Sequence, residues 1–143
     1  MKTILVAADG SSSSGRALDV AARLAADSQA ALVIITIAQL RLSPELKEFG
    51  RTEHLAADEI QELEASSILS KAQARVADVG LKKVTTLARP GDPAEAILNA
   101  AKELRADAIV MGRRGRGRLT GLLLGSVSQK VVSLAPCPVV TVP

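Results

Sequence analysis

Aromatic side chains are almost missing. Across 143 residues there is one Phe, and neither Trp nor Tyr. A core built from this chain is therefore aliphatic and alanine-rich, and a base bound to it would lie between aliphatic side chains. Cysteine occurs once, at Cys137, so no internal disulfide can form; Cys137 reads as a small buried apolar residue, and a reducing compartment is expected. His54 is the only histidine and reads as a solvated surface residue, so no Ser-His-Asp relay is legible. No group of residues has metal-ligand spacing. No apolar run is long enough to cross a membrane, and the run after Lys2 stops at Asp9, too short for a secretory signal. The expected location is the cytoplasm.

What is present is apolar sequence. Hydrophobic residues make up 48% of the chain, which argues against disorder. The length suits one domain, residues 1–143, with no repeat or linker. The net charge of +3 is mild, but Arg113, Arg114, Arg116 and Arg118 concentrate positive charge in one loop rather than over a face.

Strand and helix patterns alternate. Thr3–Ala8 and Ala31–Ala38 are continuous apolar runs of buried strands. Between them Ser11–Ser14 offer N-caps, and Ala17, Ala21, Leu24, Ala25 and Ser28 recur at helical spacing. Residues 39–52 read as a loop broken by Pro44 and Gly50. A long helix is expected from about Glu53 to Val79, with Leu69, Ala72, Val76 and Val79 as its inner stripe and Gly80 after it. Lys83–Ala88 is a short third strand. Asp92-Pro93-Ala94-Glu95 is a helix start with a cap, a proline at the first position and an acid at the third; Ile97, Ala101 and Leu104 face inward. Ala108–Met111 is the fourth strand. A last helix with Val127, Val131 and Leu134 inside ends at Pro136-Cys137-Pro138, and Val139–Val142 is the fifth strand. Five strands alternating with four helices imply a parallel sheet covered on both faces.

The sharpest signal is Asp107–Ser128, DAIVMGRRGRGRLTGLLLGSVS. A buried strand breaks at Gly112 into a glycine- and arginine-rich loop, and Gly125-Ser126 opens a helix. Glycines let backbone approach an anion closely, and a helix N-terminus offers unpaired N–H groups and a positive dipole end. Two known phosphate motifs fail: no lysine precedes Ser126 as a P-loop requires, and the third position of a dinucleotide fingerprint starting at Gly115 is Thr120.

Gly112, Gly115, Gly125 and Ser126 match G-x2-G-x9-G-[S/T] at every fixed position. This pattern, with GRRGRG, LLGSVS and APCPVVTV around it, resembles the ATP-binding subclass of the universal stress protein family over essentially the whole chain. The resemblance implies a three-layer, open, five-stranded parallel sheet of order 3-2-1-4-5, a Rossmann-like fold. Its ligand crevice would lie where Asp9 ends strand 1 and Gly112 ends strand 4. It implies that Gly112–Gly115 wrap ribose and phosphates and that Gly125 and Ser126 hold the distal phosphates. Val127 and Ser128 would add N–H groups, with the hydroxyls of Ser126 and Ser128. Ala7, Ala8 and Ile37 match positions near adenine, Met111 one near the ribose and base, and Arg114 a basic slot near phosphate. Asp9 would hold the adenine or ribose side or help Mg or Mn through water; beside Gly10, a simple turn is the competing reading.

The implied work is binding and signalling in a stress response, with ATP hydrolysis absent or very slow. The implied homodimer pairs Val139–Val142 antiparallel across an edge without a charged gatekeeper, and Pro138, lacking an N–H, limits the pairing. Two rivals stand beside this reading. An ATP-dependent enzyme of a related fold would carry S-G-G-x-D-S after strand 1, where this chain has Asp9-Gly10-Ser11-Ser12-Ser13-Ser14. A nucleotide-free adaptor would use the arginine loop on an acidic partner or nucleic acid; inside such a loop the RGRGR run is weak support for nucleic-acid binding.

Overall fold

The computed structural model describes residues 1–38, 44–115 and 124–143. Within them lie five strands: β1 Thr3–Ala7, β2 Ala31–Ala38, β3 Val84–Pro90, β4 Ala108–Gly112 and β5 Val139–Val142. All pair in parallel, in the order β3-β2-β1-β4-β5. The helices are α1 Ser12–Ser28, α2 Pro44–Thr52, α3 Ala57–Val76, α4 Pro93–Glu103 and α5 Ser126–Leu134, with a 3-10 turn at Ala77–Val79.

Strand alternation divides the core into two layers. Ile4, Val6, Leu32, Ile34 and Val110 pack beneath α1 and α3. Leu5, Val33, Ile35, Ile109 and Met111 face α4 and α5. The central strands are therefore apolar on both faces, which is why β1 and β2 read as unbroken runs. Ala17, Ala21, Ala22 and Ala25 give α1 a smooth face that lies directly on the sheet.

Three caps anchor the helix starts at the sheet's C-terminal edge. Ser11 Oγ accepts from the Ser14 N–H at 3.2 Å and caps α1. Asp92 Oδ2 accepts from the Glu95 N–H at 3.0 Å and caps α4, with Pro93 following. Gly125 opens α5 with an extended backbone.

The structure corrects the expected loop at 39–52, of which 39–43 lies outside the described residues. Pro44–Thr52 is a helix. Proline is well placed in a first turn, where its missing N–H has no intrahelical partner to lose. Gly50 is a packing residue, since a Cβ there would drive into the Ile60 side chain. The helix closes on His54, whose φ is 55°. Its N–H donates to Arg51 O at 3.4 Å, and the Leu55 N–H donates to Gly50 O at 2.8 Å. That Schellman closure delays α3 to Ala57. The inner residues of α3 are Ile60, Ala65, Ala72 and Val76, whereas Leu69 is only partly buried and Val79 is exposed. In α5, Val131 is fully buried, Val127 partly so, and Leu134 is exposed.

Candidate functional site

The chain leaves β1 toward α1 and leaves β4 toward α5, which lie on opposite faces of the sheet. The neighbouring strand ends therefore open a slit, with a cavity of about 420 Å³. Its walls include Ala7, Ala8 and Asp9 after β1, Ile37 from β2, and Met111, Gly112, Arg114 and Gly115 after β4. Gly125, Ser126, Val127 and Ser128 at the start of α5 close it. The structure thus brings together every residue to which the sequence assigned a contact with the ligand. It adds Ser14, Pro93 and Ile97. The last two were legible as a helix start and an inward residue, but not as a wall of the slit, because that depends on where α4 crosses the sheet end.

One side of the slit is aliphatic. Ala7, Ile37, Ile97, Met111 and Val127 belong to the α4–α5 core layer. The other side is backbone and polar. Asp9 Oδ1 accepts from the Ser11 N–H at 2.9 Å, so the turn-forming role of Asp9 is real. Its other oxygen meets the loop: a Cβ on Gly115 would lie 2.6 Å from Asp9 Oδ2. A Cβ on Gly112 would lie 2.5 Å from Ser13 Oγ and 3.0 Å from the Ser13 carbonyl carbon. Gly112 is held to glycine by its approach to the Ser13 backbone, whereas at Gly115 the neighbour is the end of the Asp9 side chain.

Gly125 differs. Its φ of −72° and ψ of 169° suit any residue, and a Cβ there would make only ordinary contacts, the nearest at 3.5 Å. Its missing side chain keeps open the space in front of α5.

The loop after β4 is clasped at its base. Arg113 O accepts from the Gly125 N–H at 2.8 Å and from Ser128 Oγ at 2.7 Å. The Arg113 N–H donates to Val142 O at 2.6 Å, and Ser13 Oγ donates to the same carbonyl at 3.1 Å. This corrects one expectation: the Ser128 hydroxyl hydrogen is committed within the protein, and Ser128 is buried. What α5 offers outward is the Ser126 hydroxyl and the N–H groups of Ser126, Val127 and Ser128, which have no partner among the described residues. Such a set is receptive to an anion.

Among the described residues, one cationic side chain, Arg114, lines the slit beside it. Arg113 and Arg114 are half-buried, and the Nε atom of each is shut off from solvent without a hydrogen-bond partner among the described residues. Arg116 and Arg118 lie outside the described residues. Asp9 is the only carboxylate on the slit among those residues, and no group of three or more His, Cys, Asp or Glu could hold a metal ion among them.

The geometry defines an open, doubly wound α/β domain whose crevice pairs an aliphatic slot with an anion-receptive helix start. The profile of the universal stress protein family matches residues 1–143, and the chain belongs to that family. It is 40% identical to the universal stress protein YxiE of Bacillus subtilis over 145 residues, covering 97% of each chain. Among solved structures it resembles the universal stress protein UspA from Lactobacillus plantarum, with a TM-score of 0.81 and 26% identity over 99% of this chain and 97% of that one. It also resembles a universal stress protein in complex with cAMP, with a TM-score of 0.73 and 32% identity over 99% of this chain and 97% of the other.

Proposed function

We propose that the protein binds an adenine nucleotide, ATP before others, in the slit between β1 and β4. The observation that carries this is the open start of α5. Three unpaired N–H groups and the Ser126 hydroxyl face a space that Gly125 leaves clear without any steric need of its own. The aliphatic slot of Ala7, Ile37, Ile97 and Met111 suits a flat base that no aromatic ring is present to stack. The bound cAMP of the 32%-identical relative supports the nucleotide class. Mg or Mn would accompany the phosphates, with Asp9 the protein group nearest to hand.

The role is binding and signalling in a stress response, in the cytoplasm, as a single domain. Among the described residues lining the slit, Asp9 is the only carboxylate and one of its oxygens serves the Ser11 N–H, and no histidine or lysine lies there. ATP should therefore persist on the protein. We also assign a homodimer to the β5 edge, where the Val139 and Thr141 backbone groups face away from β4.

Mass spectrometry of small molecules released from the purified protein, with calorimetric titration of ATP and cAMP, tests the reading. Saturable one-to-one ATP binding is expected. Absence of nucleotide binding, or steady-state turnover near ~10 per second, would overturn it.

A further inference from the structure

A larger cavity, of about 620 Å³, lies between α1, α2 and α3, away from the glycine motif. Among the described residues it shares only Ala8 and Ser14 with the nucleotide slit. Its volume is that of a small-molecule site.

Its lining is graded along α3. At one end Ile60 and Leu63 meet Leu46 and Phe49 of α2. Phe49 is the chain's only aromatic side chain and is 47% exposed; Leu63 is 53% exposed. At the other end stand Lys71 and Arg75. From Ile60 to Lys71 is eleven residues, about 16 Å along a helix axis at 1.5 Å per residue.

The charges at that end do not cancel. Arg75 is spent on Asp19, with Nε and Nη2 each donating to a carboxylate oxygen at 2.8 Å. Lys71 has no partner among the described residues. Glu64, midway along the groove, has a partner of its own. One uncompensated cation thus faces a groove whose other end is apolar and half wet. A phosphate chain does not suit it. The first turn of α1 is already capped by Ser11, and one ammonium is too little for several negative charges.

We propose that this groove is a second ligand site, for an aliphatic organic anion with one charged head and a chain of roughly ten carbons. The head pairs with Lys71, and the chain covers Phe49 and Leu63.

The lone phenylalanine supplies the probe. Protein grown with 4-fluorophenylalanine carries one fluorine, at position 49, and gives one 19F resonance. Decanoate, titrated below its micelle concentration into the protein, should move that resonance saturably. Lys71→Glu, at an exposed position, should weaken binding at least tenfold, whereas Lys71→Arg should retain it. An unmoved resonance, equal affinity for decanol, or an undiminished response in Lys71→Glu would each overturn the assignment.

Discussion

The Ser128 hydroxyl donates to the carbonyl of Arg113 at 2.7 Å, fifteen residues back along the chain. With the Gly125 N–H on the same oxygen, it ties the chain leaving β4 to the start of α5. Ser128→Ala removes one of two donors to a part-buried carbonyl and should lower stability by about 1 kcal/mol. ATP affinity should fall several-fold, because the first turn of α5 loses its tie to the loop. Chemical denaturation and calorimetry on the same variant check both effects.

Two glycines of the motif, Gly112 and Gly125, should separate by experiment. Gly112→Ala pushes a methyl group into Ser13 backbone and should destabilise by about 1–3 kcal/mol, the usual cost of overpacking. Gly125→Val meets only ordinary contacts in the protein. It should leave the melting temperature within a few degrees while abolishing ATP binding. A Gly125→Val protein that binds ATP normally would remove the support drawn from this residue.

At the sheet edge, alternation decides which proline substitution tests the dimer. The Ile109 N–H donates to Pro138 O and the Arg113 N–H to Val142 O. In a parallel ladder the N–H of Val140 therefore points to β4, and those of Val139 and Thr141 point outward. Val140→Pro would damage the fold, whereas Thr141→Pro removes a donor only from the free edge. Sedimentation at micromolar concentration should show a wild-type dimer and a weakened Thr141→Pro dimer.

Three helices end on a left-handed residue that is not glycine: Gln29, His54 and Arg105, with φ of 55°, 55° and 49°. A side chain in that conformation is strained where glycine is not. Gln29→Gly and Arg105→Gly should each raise stability by about 0.5–1 kcal/mol, read as a higher melting temperature.

Acid should loosen the start of β1. The Asp107 carboxylate accepts from the Lys2 and Thr3 N–H groups at 2.7 and 2.9 Å. The Thr3 bond first, then that of Lys2, holds its pKa below the ordinary carboxylate value. A depressed folded-state pKa contributes stability above the unfolded value and loses it as pH falls through the folded one. The protection of the Lys2 and Thr3 amides against hydrogen exchange, taken relative to the intrinsic rate at each pH, should therefore fall below about pH 4, and Asp107→Asn should lose that dependence.

The order of elements and the slit were legible because both rest on local patterns. β1 and β2 are buried on both faces, so their runs have no polar gap. Asp92-Pro93 is a helix start whatever surrounds it. Gly112, Gly115 and Gly125 announced themselves by spacing. What escaped depends on distant contacts. Gly50 read as a breaker because Ile60, its reason for being glycine, lies ten residues on. The ends of α1, α2 and α4 carried no glycine to mark them. Val79 and Leu134 fitted a helical stripe but fall where the helix has run past the sheet. The Ser128 hydroxyl looked available until the fold brought Arg113 beneath it.

Gly112 packs so closely on Ser13 that a Cβ would meet the Ser13 hydroxyl at 2.5 Å and its carbonyl carbon at 3.0 Å, so the gap between the end of β4 and the start of α1 leaves no room for a side chain on Gly112. That side of the slit works as a fixed jaw. The opposite jaw is made of side chains, Pro93 and Ile97 on α4. Ligand preference in this protein should be adjustable there, by trimming or enlarging Ile97, while the phosphate side stays unchanged.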